Sequence, residues 1–181
     1  AKPTILVGTS AQPGAFTRPI VEEMQRHAPE PIILALSNPT SLVEAHPKDL
    51  LEWTDGMALI ATGSPFEPVL RGTLRHEIAQ ANNALIFPGL GLGVIVAKAS
   101  RVTNRMIIAA AHAVASIVRD DKRPGASLLP KMDQLRVVSA TVALAVVRAA
   151  QADGLATAEI GDPVQAVLDA MWKPEYARVV L

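Results

Sequence analysis

Apolar residues come in two rhythms along this chain. In the first part they form short solid runs, each stopped by glycine, proline or small polar residues. Ile5-Leu6-Val7 stops at Gly8. Ile32-Ile33-Leu34-Ala35-Leu36 stops at Ser37-Asn38-Pro39-Thr40, and Met57-Ala58-Leu59-Ile60-Ala61 stops at Thr62-Gly63-Ser64-Pro65-Phe66. Unbroken apolar runs of this length predict strands buried on both faces. Leu85-Ile86-Phe87, ended by Pro88-Gly89, predicts a fourth. Between the first three runs lie helical stretches. One is expected from about Thr17 to His27, with Thr17 as its cap and Pro19 in its first turn. Another is expected from Pro47 to about Thr54. Ser41 and Glu44 have the spacing of a capping box, although Pro47 limits any helix there to about a turn. The stretch 67–80 is less regular and is expected to loop over the surface. Strand, helix, strand, helix, strand predicts an α/β fold: part of a Rossmann-type parallel sheet with helices on both faces.

After residue 89 the rhythm is helical. Helices are expected over Gly89 to Ala99, Asn104 to Asp120, Asp133 to Ala152 and Pro163 to Met171, with an irregular tail from Trp172 to Leu181. Gly154 suits the C-terminal cap of the third. The alanine-rich helix from Asn104 is expected to serve core packing. The chain of 181 residues then reads as one domain, 1–181, with a sheet part over about 1–100 and a helical part and tail over about 101–181.

Composition narrows the function classes. Lys plus Arg and Asp plus Glu are both 17, which is not the basic footprint of a nucleic-acid binder, and an aromatic content of 3% gives no base-stacking platform. The absence of cysteine excludes a disulfide framework, a thiolate nucleophile and a cysteine-built zinc site, and fits a cytoplasmic protein. No signal peptide is visible, and charged residues or His interrupt the apolar stretches, so no membrane association is expected. Opening directly on a strand predicts a chain cut inside a larger fold.

Candidate chemistry follows from the strand ends. Open parallel sheets bind ligands outside the carboxyl ends of their strands. Three ends carry small polar loops, Gly8-Thr9-Ser10, Ser37-Asn38-Pro39-Thr40 and Thr62-Gly63-Ser64-Pro65. A fourth cluster, Gln80-Ala81-Asn82-Asn83, precedes the last expected strand. Neutral amides and hydroxyls of this kind suit a carboxylate, a nicotinamide amide or a ribose hydroxyl, and Gly8 and Gly63 would admit a ligand close to the backbone. The same residues also make ordinary turns. Gly89-Leu90-Gly91-Leu92-Gly93 lacks the last glycine of a dinucleotide fingerprint, since residue 94 is Val94, and is expected to let a helix start pack on the sheet. Gly8 to Gly14 is not a phosphate loop of the Walker type. Of the histidines, His46 is placed to start a helix, His27 ends one, His76 lies in the irregular stretch and His112 on the alanine-rich helix. None has metal-ligand spacing. Asp120-Asp121 beside Lys122-Arg123 reads as a solvated helix end.

The residues carry a resemblance further. Leu6 to Ser10 with Gly14-Ala15-Phe16-Thr17, then Leu34-Ala35-Leu36-Ser37-Asn38-Pro39-Thr40, Ala61 to Phe66, and Gln80 to Gly89 stand in the order and at similar spacing to motifs of malic enzymes. Leu129-Pro130, Val137 and Ser139 resemble that family's late helices. The chain departs from the family's G-Q-G-N-N run: the first glycine falls in the stretch from His76 to Ala79, and Ala81 replaces the second.

The resemblance implies an oxidoreductase that converts L-malate to pyruvate and CO2 with NAD or NADP and a divalent metal, Mg2+ or Mn2+. It implies substrate contacts from Asn38, Asn82 and Asn83, and cofactor contacts from Gly8, Thr9, Ser10, Ser37 and Asn38, with Ser37 beside the nicotinamide. Asn82 and Ser37 read equally well as turn stabilisers. The family's catalytic lysine and tyrosine, its metal carboxylates and its dinucleotide fingerprint belong to segments before Ala1. Lys48, Lys98 and Tyr176 do not take their places, so no catalytic and no metal-binding residue is expected in this chain. On this basis the chain is a wall of the site, inactive alone, partnered by the missing N-terminal part and expected in a homo-oligomer. Two alternatives stay open: a malolactic enzyme, and a non-catalytic interaction module on a dinucleotide fold.

Overall fold

A computed structural model of the chain describes residues 1–118, 121 and 123–174. Its contacts divide into two compact units: Ala1–Leu85 with Val114–Leu135, and Ile86–Ala113 with Arg136–Leu181. The division does not fall at a single point near residue 100, because the segment 114–135 returns to the first unit.

The first unit is built on a parallel sheet. The strands β1 (Ile5–Gly8), β2 (Ile32–Ala35) and β3 (Leu59–Thr62) follow the three apolar runs, and helices α1 (Arg18–Gln25) and α2 (Pro47–Trp53) connect them. Ile5, Ile32 and Leu59 stand side by side in the register, as do Gly8, Ala35 and Thr62. Alternate side chains point to opposite faces. One face therefore presents Leu6, Ile33 and Ile60, and these pack with Val21 of α1 and Leu50 and Leu51 of α2 in one core. On the other face Ile5 and Val7 are about half exposed, 51% and 54%, so β1 is not buried on both faces as its run predicts.

The fourth strand lies elsewhere than expected. It is β6 (Ala79–Gln80), paired parallel to Ala61 and Thr62 of β3, giving the order β1-β2-β3-β6. Two residues are too few for any periodicity to show. Leu85-Ile86-Phe87 is not a strand: the Ala84 N–H donates to Asn82 Oδ1 at 2.9 Å, which starts a 3-10 turn over Asn83–Leu85. The stretch expected to be irregular also holds an antiparallel hairpin, β4 (Val69–Arg71) with β5 (Leu74–His76), and places His76 in a strand. Its two-residue turn uses Gly72 at φ +61°, the left-handed conformation such hairpins favour.

Capping differs from expectation at α1 and agrees with it at α2. Thr17 precedes α1 without a side-chain cap bond, and Pro at the helix start supplies the local bias instead. The cap of α2 is His46, whose Nδ1 accepts from the Lys48 N–H at 3.4 Å.

The second unit is helical. It contains α3 (Phe87–Ala97), the greater part of α4 (Asn104–Val118), α5 (Leu135–Ala152) and α6 (Pro163–Ala170). Buried Met106, Ala110, Ala113 and Val114 recur on one stripe of α4, in keeping with a packing role. Its expected end at Asp120 lies outside the described residues, as does the tail from residue 175, including Tyr176. A Cβ on Gly89 would stand 2.6 Å from Val142 Cβ, and one on Gly93 2.7 Å from Val146 Cβ. The glycine run thus lets α3 approach α5, and not the sheet as expected. Gly154, at φ +66°, ends α5 as predicted, with the Leu155 N–H returning to the Ala150 carbonyl at 2.9 Å. By length and composition the 21 residues Met132–Ala152 would pass for a membrane span, although Arg136 and Arg148 interrupt the apolar run as expected. Seven of the α5 residues, among them Val138, Val142, Val146 and Val147, are buried within the protein.

Candidate functional site at the carboxyl edge of the sheet

The parallel register sends four loops out over one edge of the first unit. Hydrogen bonds continue past the strand ends: the Leu36 N–H donates to the Gly8 carbonyl at 2.9 Å, the Gly63 N–H to the Ala35 carbonyl at 3.3 Å, and the Ala81 N–H to the Thr62 carbonyl at 2.8 Å. The first residues of each loop are therefore set by the strand beside them.

A buried acid ties the first two loops. Glu44 is fully buried, between Val43 and Ala45, which are buried too. Its Oε1 accepts the Ser10 N–H at 2.8 Å, the Ser10 hydroxyl at 3.1 Å and the Ser37 hydroxyl, and its Oε2 faces the Ser37 N–H at 3.4 Å. Ser37 Oγ in turn accepts the Ala11 N–H at 2.8 Å. The Glu44 carbonyl takes the Phe16 N–H at 3.1 Å, which anchors the far end of the first loop as well. Burial pushes the Glu44 carboxyl up, but the hydrogen bonds from the Ser37 hydroxyl and from Ser10 outweigh it and hold the group below the usual glutamate range. Glu44 is thus an anion solvated by the protein. The capping box expected for Ser41 and Glu44 does not form, because the carboxylate is used across the sheet edge.

The glycines at these ends serve the protein's own groups. A Cβ on Gly8 would lie 2.6 Å from both Glu44 Cδ and Phe16 Cζ, and a Cβ on Gly63 would overlap the Leu36 carbonyl oxygen. Close approach is needed as expected, but the neighbour is Glu44 or the adjacent turn.

The other predicted residues take these positions. Thr9 and Asn38 are exposed, and a cis peptide joins Asn38 to Pro39. The Ser64 hydroxyl donates to Asn38 Oδ1, which leaves the Asn38 NH2, lying beside Gly63, without a hydrogen bond to the described residues. The Gln80 side chain donates to the Gly63 carbonyl at 3.4 Å, joining the third and fourth loops. Asn82 and Asn83 follow β6 over the same edge and are exposed. Asn82 uses its amide oxygen in its own turn, while Asn83 has no hydrogen-bond partner among the described residues. No hydrogen bond links this pair to Asn38. Gly8, Ser10, Ser37, Asn38 and Ser64 are therefore brought together by direct contacts, and Asn82 and Asn83 only by the shared edge.

With the Ser10, Ser37 and Ser64 hydroxyl protons committed to Glu44 and Asn38, the donors left at this edge are the Thr9 hydroxyl and the side-chain amides of Asn38, Asn82 and Asn83. That set suits a ribose, a carboxamide or a substrate carboxylate. Among the described residues no group of three His, Asp or Glu could hold a metal ion. An open groove lined by His46, Lys48, Phe66, Val69 and Leu70 holds none of the predicted residues. Sequence reasoning missed Glu44. The available signal was a lone acid set between apolar neighbours, Val43 and Ala45, next to a polar loop.

Residues 1–151 match the family model described as malic enzyme, NAD binding domain. The chain belongs to the malic enzyme family. It is 56% identical over 176 residues to NAD-dependent malic enzyme 3 of Bacillus subtilis (strain 168), covering 97% of this chain and 31% of that protein. It is 47% identical over 179 residues to the NAD-dependent malic enzyme of Shewanella denitrificans, covering 98% and 32%. The chain thus spans about a third of the length of these curated relatives. Among solved structures it matches the malic enzyme from Pyrococcus horikoshii Ot3 at a TM-score of 0.73 and 28% identity, over 92% of this chain and 34% of that one. The Entamoeba histolytica malic enzyme matches at 0.73 and 26%, over 93% and 31%. The parallel sheet with its helices and the following helical region form the malic-enzyme fold over this span, and the family is the one that the motifs resemble.

Proposed function

We propose that this chain forms the nicotinamide and substrate wall of an NAD-dependent malic enzyme that oxidises L-malate and releases pyruvate and CO2. The observation that carries this is the convergence of four strand-end loops on one sheet edge, with the exposed Asn38 amide held through its oxygen by Ser64. The names of the relatives favour NAD over NADP as the cofactor.

In this reading Gly8, Thr9, Ser10 and Ser37 line the cofactor, Asn38 reaches both cofactor and substrate, and Asn83, with Asn82 shaping its turn, binds the malate carboxylates. NAD, when bound, supplies the hydride acceptor. The chain's own residues orient and bind. Neutral donors hold a carboxylate without taking or giving protons, so they fix the distance between malate and nicotinamide and leave proton transfer to other residues. The described residues include no group of three His, Asp or Glu that could hold a metal ion. The general base and the Mg2+ or Mn2+ ligands belong, in this proposal, to a part of the enzyme outside the chain.

The test is malate-dependent formation of NADH by the complete gene product, with analysis of the carbon product. Pyruvate and CO2 are expected. Lactate would place the protein with malolactic enzymes, and the absence of any malate turnover would overturn the proposal. Asn38→Ala is expected to lower kcat/KM about 100-fold, the scale for losing one oriented donor at the reacting groups. Retention of full activity would remove Asn38 from the site.

A further inference from the structure

Glu44 is absorbed by neither the hydrophobic core nor the proposed ligand contacts, yet it is the most connected polar group at the sheet edge. It emerges from the segment after β2, points beneath the loop after β1, and gathers donors from both: two from Ser10 and two from Ser37. A carboxylate of zero exposure would be costly without such donors, and with them it is among the stronger polar fastenings available. Gly8 leaves the space in which its side chain sits. The Ser37 hydroxyl, already donating to Glu44, passes the constraint on by accepting from the Ala11 N–H.

We propose that Glu44 is a positioning residue for the cofactor wall: its carboxylate sets the spacing between the Gly8–Ser10 and Ser37–Asn38 loops without itself touching a ligand. This rests on the proposal above that these loops face NAD. Besides the bridge, Ser10 is held near Ser37 only through its chain neighbours, by the Leu36 N–H to the Gly8 carbonyl and by the Ala11 N–H to Ser37 Oγ, and Glu44 fixes the direction of that Ser37 hydroxyl. Loss of the bridge should therefore weaken cofactor binding more than it slows turnover of the bound complex.

The experiment compares wild type with Glu44→Gln in the complete gene product. Gln has the same shape and keeps an oxygen for Ser10, but its NH2 cannot accept from the Ser37 N–H. KM for NAD is expected to rise about tenfold, the scale of one charge-assisted hydrogen bond, with kcat falling much less. Amide hydrogen exchange should quicken in a peptide spanning Gly8–Gln12 and stay slow across Ile32–Ala35. An unchanged KM for NAD would overturn the proposal, as would faster exchange throughout the protein with kcat falling in step. Exchange in the wild type is a second measurement that needs no variant. The Ser10 and Ala11 amides should be protected despite the exposure of their side chains, and exchange at the rate of a free loop would also overturn it. Lack of malate oxidation by the wild type would instead sink the functional proposal, leaving the bridge itself to be judged by exchange alone.

Discussion

The two units solve the problem of close approach by different physics. At the sheet edge of the first unit, loops are joined by polar groups: a buried carboxylate, two serine hydroxyls, and backbone N–H groups that must all be satisfied together. In the second, α3 meets α5 through the absence of side chains. Gly89 and Gly93 leave room for Val142 and Val146, and contact between apolar surfaces does the rest. The lesson concerns precision. Apolar packing fixes helix spacing through shape, whereas a carboxylate with defined donors fixes the direction of individual polar atoms. A binding wall needs the second kind.

The contrast can be broken first at Gly63. A methyl group there would overlap the Leu36 carbonyl, and backbone cannot swing aside, so Gly63→Ala should cost about 3 kcal/mol or more, read as a lowered unfolding midpoint. Gly93→Ala meets Val146 and the Ala143 carbonyl in the second unit and should cost about 2 kcal/mol by the same measurement, with no change in KM for NAD. Equal KM effects from both substitutions would end the distinction drawn between the units.

Acid separates them too. The folded-state pKa of Glu44 is depressed, so its contribution is present above the unfolded value, about 4.3, and is lost as the pH falls through the lower folded value. Between neutral pH and acid below that range, wild type should therefore lose stability faster than Glu44→Gln. Parallel melting curves for the two proteins would refute this.

Gly91→Ala is the small-effect control. Nothing lies within 4 Å of a Cβ at that position, inside α3, so the substitution should stabilise by up to about 1 kcal/mol through helix propensity. Least of all, Arg18→Ala, which removes an exposed pair to Glu22, should leave the unfolding midpoint unchanged within error.

Much of the site could be read along the chain because its loops follow apolar runs long enough to be recognised as strands. Ser37-Asn38 and Gly63-Ser64 are such cases, and the structure joins Asn38 to Ser64 directly. The fourth loop is legible from its Asn-Asn pair, but it follows β6 and does not precede a strand at Leu85–Phe87. β6 exists through its backbone pairing with β3, and its side chains, Ala79 and Gln80, carry no strand pattern. The hairpin β4-β5 is hidden for a related reason, since three-residue strands with Leu70 and Arg75 exposed and a buried His76 show no apolar alternation.

The sequence by itself determined the family, the first three strands with the two helices between them, and the neutral polar character of the strand ends, because solid apolar runs and short motifs are local properties. Only the tertiary structure decided what Glu44 and the glycines are for. Ser41 and Glu44 fit a helix cap by spacing, and the glycine run from Gly89 fits close packing on a sheet. In the folded chain the acid turns to Ser10, 34 residues away, and the glycines meet α5. A buried charge must find its donors wherever the fold brings them, and a missing Cβ has meaning only once its neighbour is in place.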